Sequence, residues 1–339
     1  MYAQTAPPPL TTDHDPIASP DGDVAPSAAP TGSVEREAGG QFVLRQNAAE
    51  VVLNATVVDQ NLQLVENLNK SAFQVYEDGA PQTIVGFRRE DIPVSLGILI
   101  DSSGSMYNKV DAVRIAALDL IKASNAQDET FIVNFSEEAY IDQDLTSDVS
   151  KLRDALNLFH VAGGTAIYDT VIASADYLSQ NAKKPKQVLM IITDGDDHDS
   201  SANLESTIRR VQDLDGPVVY CIGLLFGDDE DRGSKNHSKK VLQELADQTG
   251  GIAFFPKRVE DVDAITQQVA ADIRSQYTLS YHSSRPYTQA GYRQIHVDAK
   301  VKGMGRLNVR TRSGYFPKVQ GSVAAPAGKD PGLQNKQPQ

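Results

Sequence analysis

The sequence predicts an α/β domain with a doubly wound, mainly parallel sheet and helices on both faces, extended by a small β-sandwich built from its flanks. Three observations carry this reading. Between residues 92 and 275, short apolar runs alternate with helical segments, the pattern of a parallel sheet covered by helices. The stretches 42–91 and 276–317 are strand-like, and neither is large enough to make a core alone, so they are expected to pair into one sandwich. The ends, 1–41 and 318–339, are rich in small and polar residues and Pro, and bury too little apolar surface to offset the entropy of ordering. They are read as unordered tails.

In the first flank, Gln41–Arg45 and Glu50–Asp59 are β-rich, and Ala72–Tyr76 alternates in part. Glu77-Asp78-Gly79-Ala80-Pro81 supplies a turn before Gln82–Arg88, and Asp-Gly between two such runs signals a hairpin. The central segment opens with the buried strand Val94–Ile100. The helix Lys109–Ala123 follows, with Val110, Val113, Ala117 and Ile121 on one face. The remaining expected strands are Phe131–Phe135, Val188–Thr193, Val218–Leu224 and Ala253–Phe255. The remaining helices are Val149–Phe159, Ala166–Leu178, Leu204–Leu214, Lys239–Thr249 and Val259–Ser275. In the second flank, Gln276–Tyr281, Arg293–Ala299 and Leu307–Arg312 read as strands.

Composition narrows the function. The 32 basic and 45 acidic residues give a formal charge of −13, which argues against a nucleic-acid surface. It is compatible with cation binding, and equally with solubility alone. Cys221 is the single cysteine, so an internal disulfide and a Cys-based zinc site are excluded, and its apolar surroundings make it a small core residue. No run of about 18 apolar residues occurs, so no membrane-spanning helix is expected. The amino terminus shows no basic region followed by an apolar core, so no export signal is legible.

Asp101-Ser102-Ser103-Gly104-Ser105 follows the first central strand. In a parallel α/β sheet, ligands bind at the carboxyl ends of the strands. Asp101, Ser103 and Ser105 would place three hard oxygens there, suited to a divalent cation such as Mg²⁺. Taken alone, the same five residues also read as a capping turn. Gly163-Gly164-Thr165 taken alone reads as the start of a helix, and Thr193-Asp194-Gly195 as a turn.

Together these residues resemble the metal-ion-dependent adhesion site of the von Willebrand factor A domain family. Its pattern is Asp-x-Ser-x-Ser, then Thr, then Asp; Asp101, Ser103, Ser105, Thr165 and Asp194 fit it in order. The resemblance spans about half the chain. The flanking Phe73–Gln82 and Arg312-Ser313-Gly314-Tyr315-Phe316 are similar to those of an acidobacterial group of such domains, which usually carries an export signal. The resemblance implies a non-enzymatic adhesion module holding Mg²⁺ or Mn²⁺, with an open position for an Asp or Glu carboxylate of a protein partner, in an extracytoplasmic setting. It also implies that the last helix of the domain, Val259–Ser275, can shift to switch affinity, under the influence of the strands that follow it.

Two other functions compete. A metal-dependent phosphohydrolase of the haloacid-dehalogenase type also places an Asp after its first strand, but generally uses a second Asp two residues on, where this chain has Ser103. A structural component whose metal only stiffens the fold is the other. A serine hydrolase is disfavoured by the absence of a Gly-x-Ser-x-Gly elbow. Asp196-Asp197-His198-Asp199 is read as a solvated loop, with Ca²⁺ binding or modulation of the ion as the alternative, and Asp228-Asp229-Glu230-Asp231 as a solvated charged loop. His160, His198, His237, His282 and His296 show no ligand spacing. Tyr277, Tyr281, Tyr287 and Tyr292 are read as core or rim packing rather than a partner surface.

Overall fold

A computed structural model of the chain describes residues 50–89, 92–157, 161–226, 232–286 and 289–317, and the backbone of three short strands at 11–12, 34–36 and 42–44. Those three are β1 (Thr11–Thr12), β2 (Val34–Arg36) and β3 (Phe42–Leu44). β2 and β3 pair antiparallel, and β1 forms one edge of the central sheet, parallel to its neighbour there. The expected amino-terminal tail therefore contains two strands, at positions where β-branched Thr and Val favour extended backbone. The rest of 1–41, and all of 318–339, lie outside the described residues.

The first flank contributes β4 (Glu50–Val58), β5 (Phe73–Glu77), β6 (Ala80–Gln82) and β7 (Ile84–Arg88). Asp78 and Gly79 take φ of 49° and 79°, the positive values that a tight two-residue hairpin turn requires. That turn puts Ala80 opposite Glu77 at once. The strand expected as Gln82–Arg88 consequently splits around Thr83, with β6 staying beside β5 and β7 joining a different sheet.

The central domain runs β8 (Val94–Asp101), a 3₁₀ segment (Gly104–Lys109), α1 (Val110–Lys122), β9 (Glu129–Phe135), β10 (Ala139–Thr146), α2 (Val149–Ala155) and α3 (Ile167–Asn181). It continues through β11 (Lys186–Thr193), α4 (Leu204–Asp213), β12 (Val218–Gly223), α5 (Arg232–Thr249), β13 (Ala253–Phe254) and α6 (Val262–Arg274). The seven-stranded sheet has the order β1-β10-β9-β8-β11-β12-β13. β8, β9, β11, β12 and β13 pair in parallel, whereas β10 returns antiparallel to β9.

β8 is buried along its whole length and β11 along all of it but Gln187, which is half-buried, so their residues feed two cores in alternation. Leu96, Ile98, Ile100, Val188, Met190 and Ile192 pack with α1, α2 and α6 on one face. Leu99, Leu189 and Ile191 pack with α3, α4 and α5 on the other. Cys221 belongs to the second core and is buried.

Two central elements depart from expectation. β10 was not anticipated: its acidic residues mask a partial alternation in which only Ala139 and Ile141 are buried. α5 begins at Arg232 rather than Lys239, because its first turns are polar and its apolar face is legible only from Leu242. Helix α2 ends at Ala155, short of the Phe159 expected, in a turn at 156–157, and Asp228-Asp229-Glu230-Asp231 and His160 lie outside the described residues.

The second flank supplies β14 (Tyr277–His282), β15 (Arg293–Ala299), β16 (Asn308–Arg310) and β17 (Gly314–Tyr315). The flanks interleave. One four-stranded sheet has the order β16-β4-β14-β7 and the other β17-β15-β5-β6, each with two strands from either flank. They share a third core that includes Leu53, Val75, Tyr277, Leu279, Val297 and Tyr315. Tyr277 and Tyr281 are fully buried there, whereas Tyr292 is exposed; Tyr287 lies outside the described residues. Glu77 and Arg293, both buried, form an ion pair at 3.3 Å, and Tyr281 Oη donates to Glu77 at 2.8 Å.

Asp272, buried near the end of α6, joins this unit to the central domain. Its Oδ1 accepts from Tyr220 Oη of β12 at 2.8 Å and from Thr56 Oγ1 of β4 at 2.9 Å. Its Oδ2 pairs with Arg310 of β16. One carboxylate thus ties the last helix to the central sheet and to both flanks.

Candidate metal-ion site

The order of strands places the site. From β8 the chain moves outward to β9 on one side and then returns to β11 on the other. β8 and β11 therefore flank the point where the winding reverses, and the crevice at their carboxyl ends is where an open α/β sheet binds its ligands. Asp101 is the last residue of β8, and Asp194 directly follows β11.

A chain of hydrogen bonds connects the two. Asp101 Oδ1 accepts from Ser103 N at 2.8 Å, Ser103 Oγ lies 3.1 Å from Ser105 Oγ, and Ser105 Oγ donates to Asp194 Oδ1 at 2.8 Å. Asp101 Oδ2 accepts from Thr193 Oγ1 at 2.5 Å. Four of the five expected site residues are thereby brought together through side chains or adjacent backbone.

Thr165 lies in a loop whose preceding residues, Ala162 and Gly163, are held to the first loop by backbone bonds. Gly104 N donates to Gly163 O at 3.1 Å, and Ala162 N to Ser102 O at 2.8 Å, stitching the loop before α3 to the loop after β8. Gly163 has a φ of 80°, which favours glycine. A Cβ on Gly164 would stand 1.8 Å from Asp199 Oδ2. The glycine pair thus lets the loop that leads into Thr165 lie close to the loop after β8.

The Asp196–Asp199 loop is in part the solvated loop expected, with His198 and Asp199 exposed and Asp196 and Asp197 half-buried, but its carboxylates are also engaged. Asp199 Oδ2 accepts from Thr165 N at 2.7 Å, Asp197 Oδ2 from Tyr168 N at 2.9 Å, and Ser200 Oγ from Asp169 N at 3.1 Å. Ala166, at the start of α3, offers no capping side chain, so these groups satisfy N–H donors that the helix itself leaves unpaired. Asp196 accepts from Ser234 Oγ at 2.7 Å and is also held by Ser238, both on α5. Asp199 and Thr193 therefore hold the loops in place; the sequence marks Asp199 only as part of an acidic loop that could modulate the ion, and Thr193 only as part of a turn. Their signal is spatial, since Thr165 and Asp199 are 34 residues apart.

Electrostatics set the chemistry. Asp101 and Asp194 are fully buried, Ser103 and Thr165 nearly so, and Ser105 is exposed. Burial, reinforced slightly by the charge of Asp194, raises the Asp101 carboxyl to about 6, against the lowering effect of hydrogen bonds from Ser103 and Thr193. Lys109 Nζ pairs with Asp194 Oδ2 at 2.6 Å. Among the described residues no three His, Cys, Asp or Glu side chains gather as a metal cage. Two buried carboxylates, the nearly buried Ser103 hydroxyl and the exposed Ser105 hydroxyl make an all-oxygen group of the kind that fits a hard divalent ion keeping several waters.

A mostly parallel sheet, helices on both faces and this Asp-x-Ser-x-Ser loop at the winding reversal define a class of α/β domain. The family model for the von Willebrand factor type A domain matches residues 96–270, just over half the chain, and the chain belongs to that family. No curated protein matches it.

Similar solved structures include a von Willebrand factor type A protein from Catenulispora acidiphila, at 16% identity over 80% of this chain and 74% of that one, with a TM-score of 0.46. The conserved hypothetical protein BatB from Bacteroides thetaiotaomicron is similar at 18% identity over 54% of this chain and 100% of that one, with a TM-score of 0.44. The pilus adhesin SpaC from Lactobacillus rhamnosus GG is similar at 12% identity over 75% and 49%, with a TM-score of 0.46. Among the described residues, no helix is long and apolar enough to cross a membrane.

Proposed function

We propose that the central domain is a non-enzymatic, metal-dependent protein-binding module. Asp101, Ser103, Ser105, Thr165 and Asp194 hold Mg²⁺ or Mn²⁺, and the partner is a protein presenting an Asp or Glu carboxylate. The observation that carries this reading is the hydrogen-bonded path from Asp101 through Ser103 and Ser105 to Asp194, with its carboxylates buried and Ser105 open to solvent. A bound ion supplies a fixed positive charge that accepts an anionic oxygen. The chain's own residues do the rest. The buried carboxylates balance the charge, Thr193 and the Ser103 amide orient Asp101, and Asp199 fixes the Thr165 loop.

The hydrolase alternative lacks its proton donor, since Ser103 stands where a second carboxyl would be needed and a hydroxyl is no comparable acid near neutral pH.

Calorimetric titration with MgCl₂ tests the site. Wild-type protein is expected to bind one ion, and Asp101→Ala, shown to be folded by circular dichroism, to bind none; unchanged binding by the variant refutes the assignment. Partner capture in Mg²⁺ followed by EDTA tests the contact. Release supports a metal-bridged interface, whereas retention of every partner would leave the ion a structural role only.

A further inference from the structure

Lys109 is placed against the usual preferences of its residue type. It stands at the amino-terminal boundary of α1, with no side-chain cap of its own. The helix dipole there favours anions over a cation. Its side chain is 13% exposed, whereas lysine ammonium groups are rarely withdrawn from water unless paired. The partner is Asp194, whose side chain is wholly buried. The contact takes up the second oxygen of that carboxylate, Ser105 holding the first. Both oxygens of one of the two acidic groups in the site are therefore engaged by the chain's own donors. The lysine is the last residue of a 3₁₀ segment, Gly104–Lys109, a backbone form with poorer hydrogen-bond geometry that often marks an adjustable stretch. Its four-carbon stem can swing the charge outward with little backbone change.

We propose that Lys109 is a tethered cation that competes with the divalent ion for Asp194, so that it sets the metal affinity of the site. The inference rests on the metal-site reading above. The ammonium neutralises a buried carboxylate that would otherwise stand unpaired, and a divalent ion that draws on Asp194 must displace it. The affinity is then reduced by the fraction of time for which Asp194 is free. A pair occupied nine-tenths of the time lowers the apparent affinity about tenfold. Lys109 is thus a tuning residue and not a ligand.

The test titrates full-length wild type, Lys109→Met, Lys109→Gln and Lys109→Arg with MgCl₂ and MnCl₂ by calorimetry, and measures Tm for each in EDTA and in Mg²⁺. Lys109→Met and Lys109→Gln are expected to bind Mg²⁺ at least about tenfold more tightly than wild type, and Lys109→Arg to stay near it. In EDTA the two neutral variants are expected to melt below wild type, since Asp194 loses its counter-charge, and their Mg²⁺-induced rise in Tm to be the larger. The Gln variant keeps the test open if Met at this position prevents folding. Equal or weaker Mg²⁺ binding by both neutral variants, with wild type binding normally, overturns the role of Lys109 and leaves the metal site standing. Binding by the neutral variants alone supports strong competition. Absence of binding in every variant and in wild type overturns the metal site and this inference together.

Discussion

Asp272 makes the sharpest test of how the two parts of the chain are joined. Asp272→Ala removes the buried partner of Arg310, whose own side chain is 20% exposed. It also takes an acceptor from Tyr220 and Thr56, both fully buried. Breaking a buried ion pair by deleting one partner costs about 3–5 kcal/mol, and each stranded hydroxyl adds about 1–3 kcal/mol unless it finds another acceptor. These terms share one side chain and do not add fully, so the expected loss is at least about 4 kcal/mol.

Asp272→Asn separates the contributions. Its amide oxygen can still accept from Tyr220 and Thr56, because both bonds go to the same atom, while the charged acceptor of the Arg310 bond is replaced by an NH₂ that cannot accept. That bond is worth about 1.5–3 kcal/mol. Urea denaturation followed by circular dichroism and tyrosine fluorescence reads both losses as midpoint shifts at constant slope; the chain has 12 Tyr and no Trp. A change of less than about 0.5 kcal/mol in the alanine variant, the range of ordinary surface substitutions, would refute the argument. An asparagine variant as damaged as the alanine one would refute the partition. The same triad bears on the expected shift of the last helix. α6 cannot slide past β12 and the flanking strands without breaking all three contacts of Asp272 at once.

Gly164→Ala should force Asp199 away from Thr165, since the added Cβ would meet its carboxylate. The loss of that backbone contact costs about 1 kcal/mol of stability, the worth of an N-terminal cap. Mg²⁺ affinity by calorimetry should fall several-fold, and Gly195→Ala, whose Cβ meets nothing within 4 Å, is the control; equal affinities would show that Asp199 does not position Thr165. Metal binding should also depend on pH. With its carboxyl raised to about 6 by burial, Asp101 carries a proton below that pH, and the ion must displace it. Apparent Mg²⁺ affinity should be steady above pH 6 and fall about tenfold per unit below it; a flat titration profile between pH 5 and 7.5 would contradict the linkage.

Much of the architecture was legible because burial on two faces leaves a plain mark on sequence. β8, β11 and β12 are dominated by apolar runs, Leu96–Ile100, Val188–Ile192 and Val218–Ile222, and such runs announce themselves without any partner. β10 escaped notice because it is half-exposed and carries Asp142 and Asp144; its strand character comes from pairing with β9. The opening turns of α5 escaped for a similar reason, since a polar helix surface has no period to read. The split of β6 from β7 depended on which sheet each edge could join, which is a question of packing and not of local preference.

For the site, the residue types and the two strand ends were fixed by the chain itself. Asp101, Ser103 and Ser105 lie within five residues, and their chemistry is intrinsic to their side chains. What tertiary structure decided is everything that depends on distance across the fold. It brought Asp194 beside Ser105, set Asp199 under Thr165, closed Lys109 on Asp194, and buried both acidic groups while leaving Ser105 open. Apolar periodicity is a local property that a sequence records. Electrostatic partnership and desolvation arise only when remote segments meet, because a charge is stabilised or exposed by whatever surrounds it in space.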